Sequence, residues 1–154
     1  MKTVDNTRRR VVQTGGALAA IAALGLLPKD ALAAWNQAAF EGKNIPDTLK
    51  ALNLDTPANS AELQIVASDI AENGAVVPIQ IVSRIPNTTR IALMVEKNPN
   101  MLAAVFDIPE GMLPDVATRI RMGQTSDIVA VAVAGGKVYS ARREIKVTLG
   151  GCGG

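Results

Sequence analysis

The sequence has 154 residues and a mass of 16.1 kDa, enough for one domain with a real core. It holds no histidine, one cysteine (Cys152) and only four aromatics (Trp35, Phe40, Phe106, Tyr139). Those counts exclude, within this chain, a Ser-His-Asp or Cys-His catalytic set, a His-based zinc site, an intrachain disulfide and a CxxC redox pair, and they disfavour an aromatic platform for single-stranded nucleic acid. The net charge of +2 is unevenly placed. Residues 1–33 hold five basic groups (Lys2, Arg8, Arg9, Arg10, Lys29) and two acidic ones (Asp5, Asp30), leaving 11 basic and 12 acidic residues in the rest, net −1. No basic field remains there to hold nucleic acid or a membrane surface.

In chain order, the first segment reads as an address. Thr7-Arg8-Arg9-Arg10-Val11-Val12 places paired arginines before two apolar residues. An uncharged run follows from Gly15 to Leu27, and then Ala31-Leu32-Ala33, a small-x-small cleavage pattern. This is the layout of an export signal, and the twin arginines are those of the Tat class. A Sec signal or a short anchor is the alternative, although the run is too short to span a bilayer comfortably. Residues 1–33 are expected to be removed, leaving Ala34–Gly154 in the periplasm. Tat export usually carries proteins already folded, and one physical possibility is that the domain crosses as a folded complex with a partner that lacks a signal.

Residues 34–60 read as a helical arm. Trp35–Phe40 is a short helix with Gly42 as its terminator, and Pro46–Leu52 is a second, with Leu49 and Leu52 on one face. Asn53–Ser60 reads as loop. From residue 61 to 149 the pattern is of strands between turn signals: Leu63–Ala67, Ala75–Val82, Arg90–Val95, Leu102–Phe106, Val116–Met122, Asp127–Ala134 and Val138–Leu149. Pro78 marks an edge or a bulge in the second of these. Glu72-Asn73-Gly74, Pro86-Asn87-Thr88, Lys97–Asn100 and Pro109-Glu110-Gly111 are turns, and Gly135-Gly136-Lys137 is a tight hairpin. In Val116–Met122, Arg119 and Arg121 share the face opposite Val116, Thr118, Ile120 and Met122, and a solvated face is the default for them. In the last strand Ile145, Val147 and Leu149 alternate with Lys146 and Thr148. Short strands with no long intervening helix predict an all-β, immunoglobulin-like antiparallel β-sandwich with a short helical N-terminal arm.

The last strand runs into Gly150-Gly151-Cys152-Gly153-Gly154. Four glycines leave the thiol as the one side chain of a flexible tail. Fully extended, Leu149–Cys152 spans on the order of 13 Å. A nucleophilic cysteine needs a histidine, a cation or a helix N-terminus to lower its pKa, and here the nearest cation in sequence is Lys146 while the C-terminal carboxylate lies two residues away. The tail has reach without activation. Partners would have to supply the catalytic groups, which describes a covalent carrier arm. An exported immunoglobulin-like interaction module with Cys152 in an interchain disulfide is the alternative. An added tag and an enzyme using Cys152 directly are weaker ones.

Several segments together resemble the SoxY family of sulfur carriers. They are the twin-arginine signal, Ile70-Ala71-Glu72-Asn73-Gly74-Ala75-Val76-Val77-Pro78, Glu96-Lys97-Asn98-Pro99, Thr118-Arg119-Ile120-Arg121, Val129-Ala130-Val131-Ala132 and the whole of Lys146–Gly154. The resemblance implies a non-enzymatic subunit of a periplasmic thiosulfate-oxidising system, paired with SoxZ as a heterodimer. It implies that Cys152 carries the sulfur adducts, with Gly150, Gly151, Gly153 and Gly154 giving the arm access and flexibility, and with no metal or other cofactor. It implies transient partners in turn: the haem enzyme SoxAX, which joins thiosulfate to the cysteine; SoxB, which releases sulfate; and in some organisms SoxCD, which oxidises the remaining sulfur.

Overall fold

The structure is a computed structural model that describes residues 36–148. Two short helices come first, α1 (Gln37–Phe40) and α2 (Ile45–Ala51). Each begins at an asparagine that satisfies an otherwise orphaned amide: Asn36 accepts from the Ala39 amide at 3.1 Å and Asn44 from the Asp47 amide at 2.8 Å. Pro46 lies in the first turn of α2, where its missing N–H costs nothing. Gly42 lies between the helices as expected, but for a reason of space: a Cβ there would stand 2.2 Å from Oγ1 of Thr48, which is fully buried.

Nine strands follow: β1 (Ala58–Asn59), β2 (Leu63–Val66), β3 (Ile70–Ala71), β4 (Val77–Ser83), β5 (Thr88–Val95), β6 (Leu102–Asp107), β7 (Asp115–Ile120), β8 (Ser126–Ala134) and β9 (Lys137–Val147). They form two sheets. The larger has the order β1-β9-β8-β5-β6, with β3 also on β9, and the smaller is β2-β4-β7. The long pairings are antiparallel, and the two sheets make an immunoglobulin-like sandwich. Two features depart from the sequence reading. β1 lies inside the stretch read as loop, and both β1 and β3 pair with β9 in parallel, over two residues each.

The larger sheet is covered on both faces, which explains the unbroken apolar runs of β5 and β8. Ile91, Leu93 and Val95 of β5 and Ile128, Ala130 and Ala132 of β8 point into the core between the sheets, against Leu63, Ile65, Ile79 and Ile81. The alternate residues Ala92, Met94, Val129 and Val131 pack instead on Ala39, Leu49 and Leu52 of the helical arm. A strand buried on both faces loses the polar alternation of a half-exposed one. The smaller sheet keeps that alternation. In β7, Ala117 and Arg119 are exposed while Ile120 is buried. Pro78 pairs with Arg119 of β7, but β2 on the other side reaches only Gln80, so β4 is locally an edge there. Gly135 (φ 55°) and Gly136 (φ 75°) make the hairpin between β8 and β9, a conformation glycine adopts freely.

Candidate functional site

β9 leads to the site. Its 11 residues run from the Gly135-Gly136 hairpin along β8 to Val147, and the residue after it is Thr148. Leu149, Gly150, Gly151, Cys152, Gly153 and Gly154 lie outside the described residues, as do residues 1–35, which include the segment expected to be an export signal and Trp35. What the structure gives in detail is the root from which the tail leaves.

That root is held on both edges. On one edge, the parallel bridge to β3 brings the Lys146 amide to the Asp69 carbonyl (2.9 Å) and the Thr148 amide to the Ala71 carbonyl (3.1 Å). On the other edge, Ser126 opposite Ile145 is the last backbone pair with β8, and the Val147 amide donates instead to Oγ1 of Thr125 at 3.0 Å. A threonine hydroxyl thus extends the ladder one step past its backbone end. All three final amides, Lys146 to Thr148, have partners, as buried or strand-forming N–H groups require.

Side chains tie the surrounding turns to this root. Arg143 of β9 donates from Nη2 to Asp69 Oδ1 (2.8 Å) and from Nη1 to the Ile65 carbonyl (3.1 Å), and so holds the connection between β2 and β3. Asn98 donates to the Arg121 carbonyl (2.7 Å) and accepts from the Gly123 amide (3.3 Å), closing the turn that carries Met122. The Met122 amide in turn donates to the Gly74 carbonyl at 2.7 Å. Gly74 sits in a space no side chain fits: a Cβ there would lie 2.3 Å from the Met122 carbonyl oxygen and 2.9 Å from Cγ1 of Val147. The sequence marked Gly74 as a turn residue, but its close approach to β9 depends on residues 48 and more positions away.

The outer surface of β9 carries an ion-pair network. Arg142 reaches Glu96 (2.7 Å) and Asp127 (3.0 Å). Burial lowers its guanidinium pKa, but hydrogen bonds to Asp127 and Glu96 and their charges outweigh that and hold it above its ordinary value. The group is therefore positive at every physiological pH. With about half of its side chain exposed, it fastens β8, β9 and the turn after β5 only weakly. Arg119 and Arg121 are exposed. Among the described residues no three Asp, Glu, Cys or His side chains gather closely enough to hold a metal ion. The arrangement can position a chain terminus, and the two carboxylates that do converge, Glu96 and Asp127, are both engaged by Arg142.

A family profile described as "Sulfur oxidation protein SoxY" matches residues 48–152, so the matched stretch ends on the cysteine. The chain belongs to the SoxY family. Among solved structures it is similar to the sulfur carrier protein SoxY from Chlorobium limicola f thiosulfatophilum, with 39% identity over 74% of this chain and 100% of that one, and a TM-score of 0.63. A superoxide reductase (neelaredoxin) from Ignicoccus hospitalis shares the fold alone: 20% identity over 56% of this chain and 80% of that one, TM-score 0.50. A search of curated proteins returned no match. Three of the SoxY-like segments meet at the root of the tail. Ile70–Pro78 supplies β3, the Gly74 approach and the start of β4; Glu96–Pro99 supplies Asn98; and Thr118–Arg121 leads into Met122.

Proposed function

We propose that this protein is a sulfur carrier of thiosulfate oxidation, with Cys152 as the attachment point. The observation that carries this reading is the match to the SoxY family along residues 48–152, ending on the one cysteine of the chain, five positions in sequence after a strand whose end is held on both edges. In the first step the thiol and thiosulfate join through a new S–S bond. One proton and two electrons leave, and the electrons pass to the haem partner SoxAX. In the second step water cleaves the bond between the terminal sulfone and the adjoining sulfur. Sulfate departs, catalysed by SoxB, and a persulfide stays on Cys152. Where SoxCD operates, it takes six electrons from the outer persulfide sulfur while water supplies three oxygens and six protons leave, and a further hydrolysis releases a second sulfate and restores the thiol. The carrier supplies no acid, base or metal to these steps. Gly150, Gly151, Gly153 and Gly154 serve by leaving room around the sulfur.

SoxZ is the proposed constant partner and SoxAX, SoxB and SoxCD the transient ones. The twin arginines and Ala31-Leu32-Ala33 support export through Tat to the periplasm with cleavage after Ala33, which a mature N-terminus at Ala34 in the purified protein would bear out. Radiosulfur placed separately in the two sulfur positions of thiosulfate tests the carrier chemistry. With SoxAX and SoxB present, label from the sulfane position should stay on the protein and label from the sulfone position should leave as sulfate. Retention of both labels, or of neither, would contradict the scheme. A disulfide that forms equally without thiosulfate would favour the interaction-module alternative.

A further inference from the structure

The root of the tail holds more than a fold requires of its last strand. β9 could fray beyond Ile145, where the backbone ladder with β8 ends. Instead, the Val147 amide donates to the side-chain hydroxyl oxygen of Thr125, and Asp69 is held twice by β9, through its carbonyl by the Lys146 amide and through its carboxylate by Arg143. Asp69 is exposed, so its ion pair with Arg143 adds little to overall stability. Its consequence is local: Arg143 also bonds the Ile65 carbonyl, which fixes the β2–β3 connection on which the parallel bridge depends.

We propose that Arg143, Asp69 and Thr125 are positioning residues for sulfur transfer: they clamp the chain at Thr148 and so set the length of the arm that presents Cys152. The inference rests on the carrier reading and deepens it. With the clamp closed, Cys152 lies four residue steps beyond Thr148, a reach of about 13 Å. With the clamp open, Lys146 to Thr148 can peel away, and the arm gains about 10 Å of slack at the same spacing per residue. A longer, looser arm reaches every site the short one reaches. It spends less time with the sulfur at the depth where a partner acts, and misplacement of about 1 Å is enough to cost up to a hundredfold in rate.

The test uses the full mature chain with SoxZ and compares Thr125→Val, Arg143→Met and the conservative Thr125→Ser and Arg143→Lys variants with the native protein. Hydrogen exchange at the Lys146–Thr148 amides should quicken about tenfold in Thr125→Val and Arg143→Met, the factor expected from one lost hydrogen bond. Thr125→Ser, which keeps the hydroxyl, should return to the native rate, and Arg143→Lys should do so in part. For loading by SoxAX with thiosulfate, kcat should fall about tenfold while KM changes little, the split expected of a loss of positioning and not of docking. Alkylation of Cys152 by iodoacetamide should be unchanged. Two glycines inserted between Leu149 and Gly150 in the native background should lower kcat in the same way with the clamp intact. Unchanged exchange in both clamp variants would overturn the proposal. So would quickened exchange with native loading, or an insertion without effect. Failure of the native protein itself to load would instead contradict the carrier reading.

Discussion

Ile145 and Val147 lie two residues apart on the same face of β9 and pack on the same core, but to different extents, and Val147 leans more on hydrogen bonds around it. Ile145 is fully buried among Leu93, Ile128 and the other residues of the core between the sheets. Val147 is partly buried, with Gly74 close against it, and its strand is kept in place by the Thr125 hydroxyl and by β3. The body of the sandwich rests on burial, which is shared among many side chains and is tolerant of any one small loss. The root of the arm rests on a few hydrogen bonds and one close approach, each made by a single residue. A carrier needs both. On the proposed reading, the body would keep the fold whatever Cys152 holds, and the root would fix the point from which the last residues start.

That contrast can be broken first from the side of the body. Ile81 is fully buried, and Ile81→Ala should cost about 3 kcal/mol and lower Tm by roughly 10 °C. Thermal unfolding measures this, and a shift below about 2 °C would mean that the core is not the main support. From the side of the root, Gly74→Ala forces a methyl group onto the Met122 carbonyl and should cost about 2 kcal/mol. Hydrogen exchange should show the Met122 and Val147 amides opening more than those of β5. Uniform opening would remove the distinction between root and body. The smallest effect belongs to the outer surface. Glu96→Gln removes one ion pair of the half-exposed Arg142 and should change stability by at most about 0.5 kcal/mol, less still in high salt. A large loss would show that this network carries weight its exposure does not suggest.

Much of the sandwich was legible in the sequence because alternation is local. Leu63 and Ile65, or Ile120 and Met122, declare a buried face by their spacing alone. The runs in β5 and β8 announced burial without saying by what, since Ala92 and Met94 meet helices that lie some 40 to 55 residues earlier in the chain. β1 and β3 were not legible, because two residues carry no periodicity. The root was not legible for a similar reason. Arg143 reads as an ordinary polar residue of a strand, and its partners Ile65 and Asp69 are 78 and 74 residues away. Gly42 and Gly74 were placed correctly at chain reversals, but the contacts that require glycine at each come from Thr48, Met122 and Val147. The thiol itself was the clearest feature of all, since it depends on composition and not on tertiary contacts.

The most direct test of the central claim is the intact mass of the purified mature chain after incubation with thiosulfate and SoxAX, beside a Cys152→Ser variant. The native chain should gain the mass of one thiosulfate group less a proton, reversed by a thiol reductant, and Cys152→Ser should gain nothing with its fold unchanged. An adduct on the variant, or none on the native chain, would contradict the assignment of Cys152 as the sulfur-carrying residue.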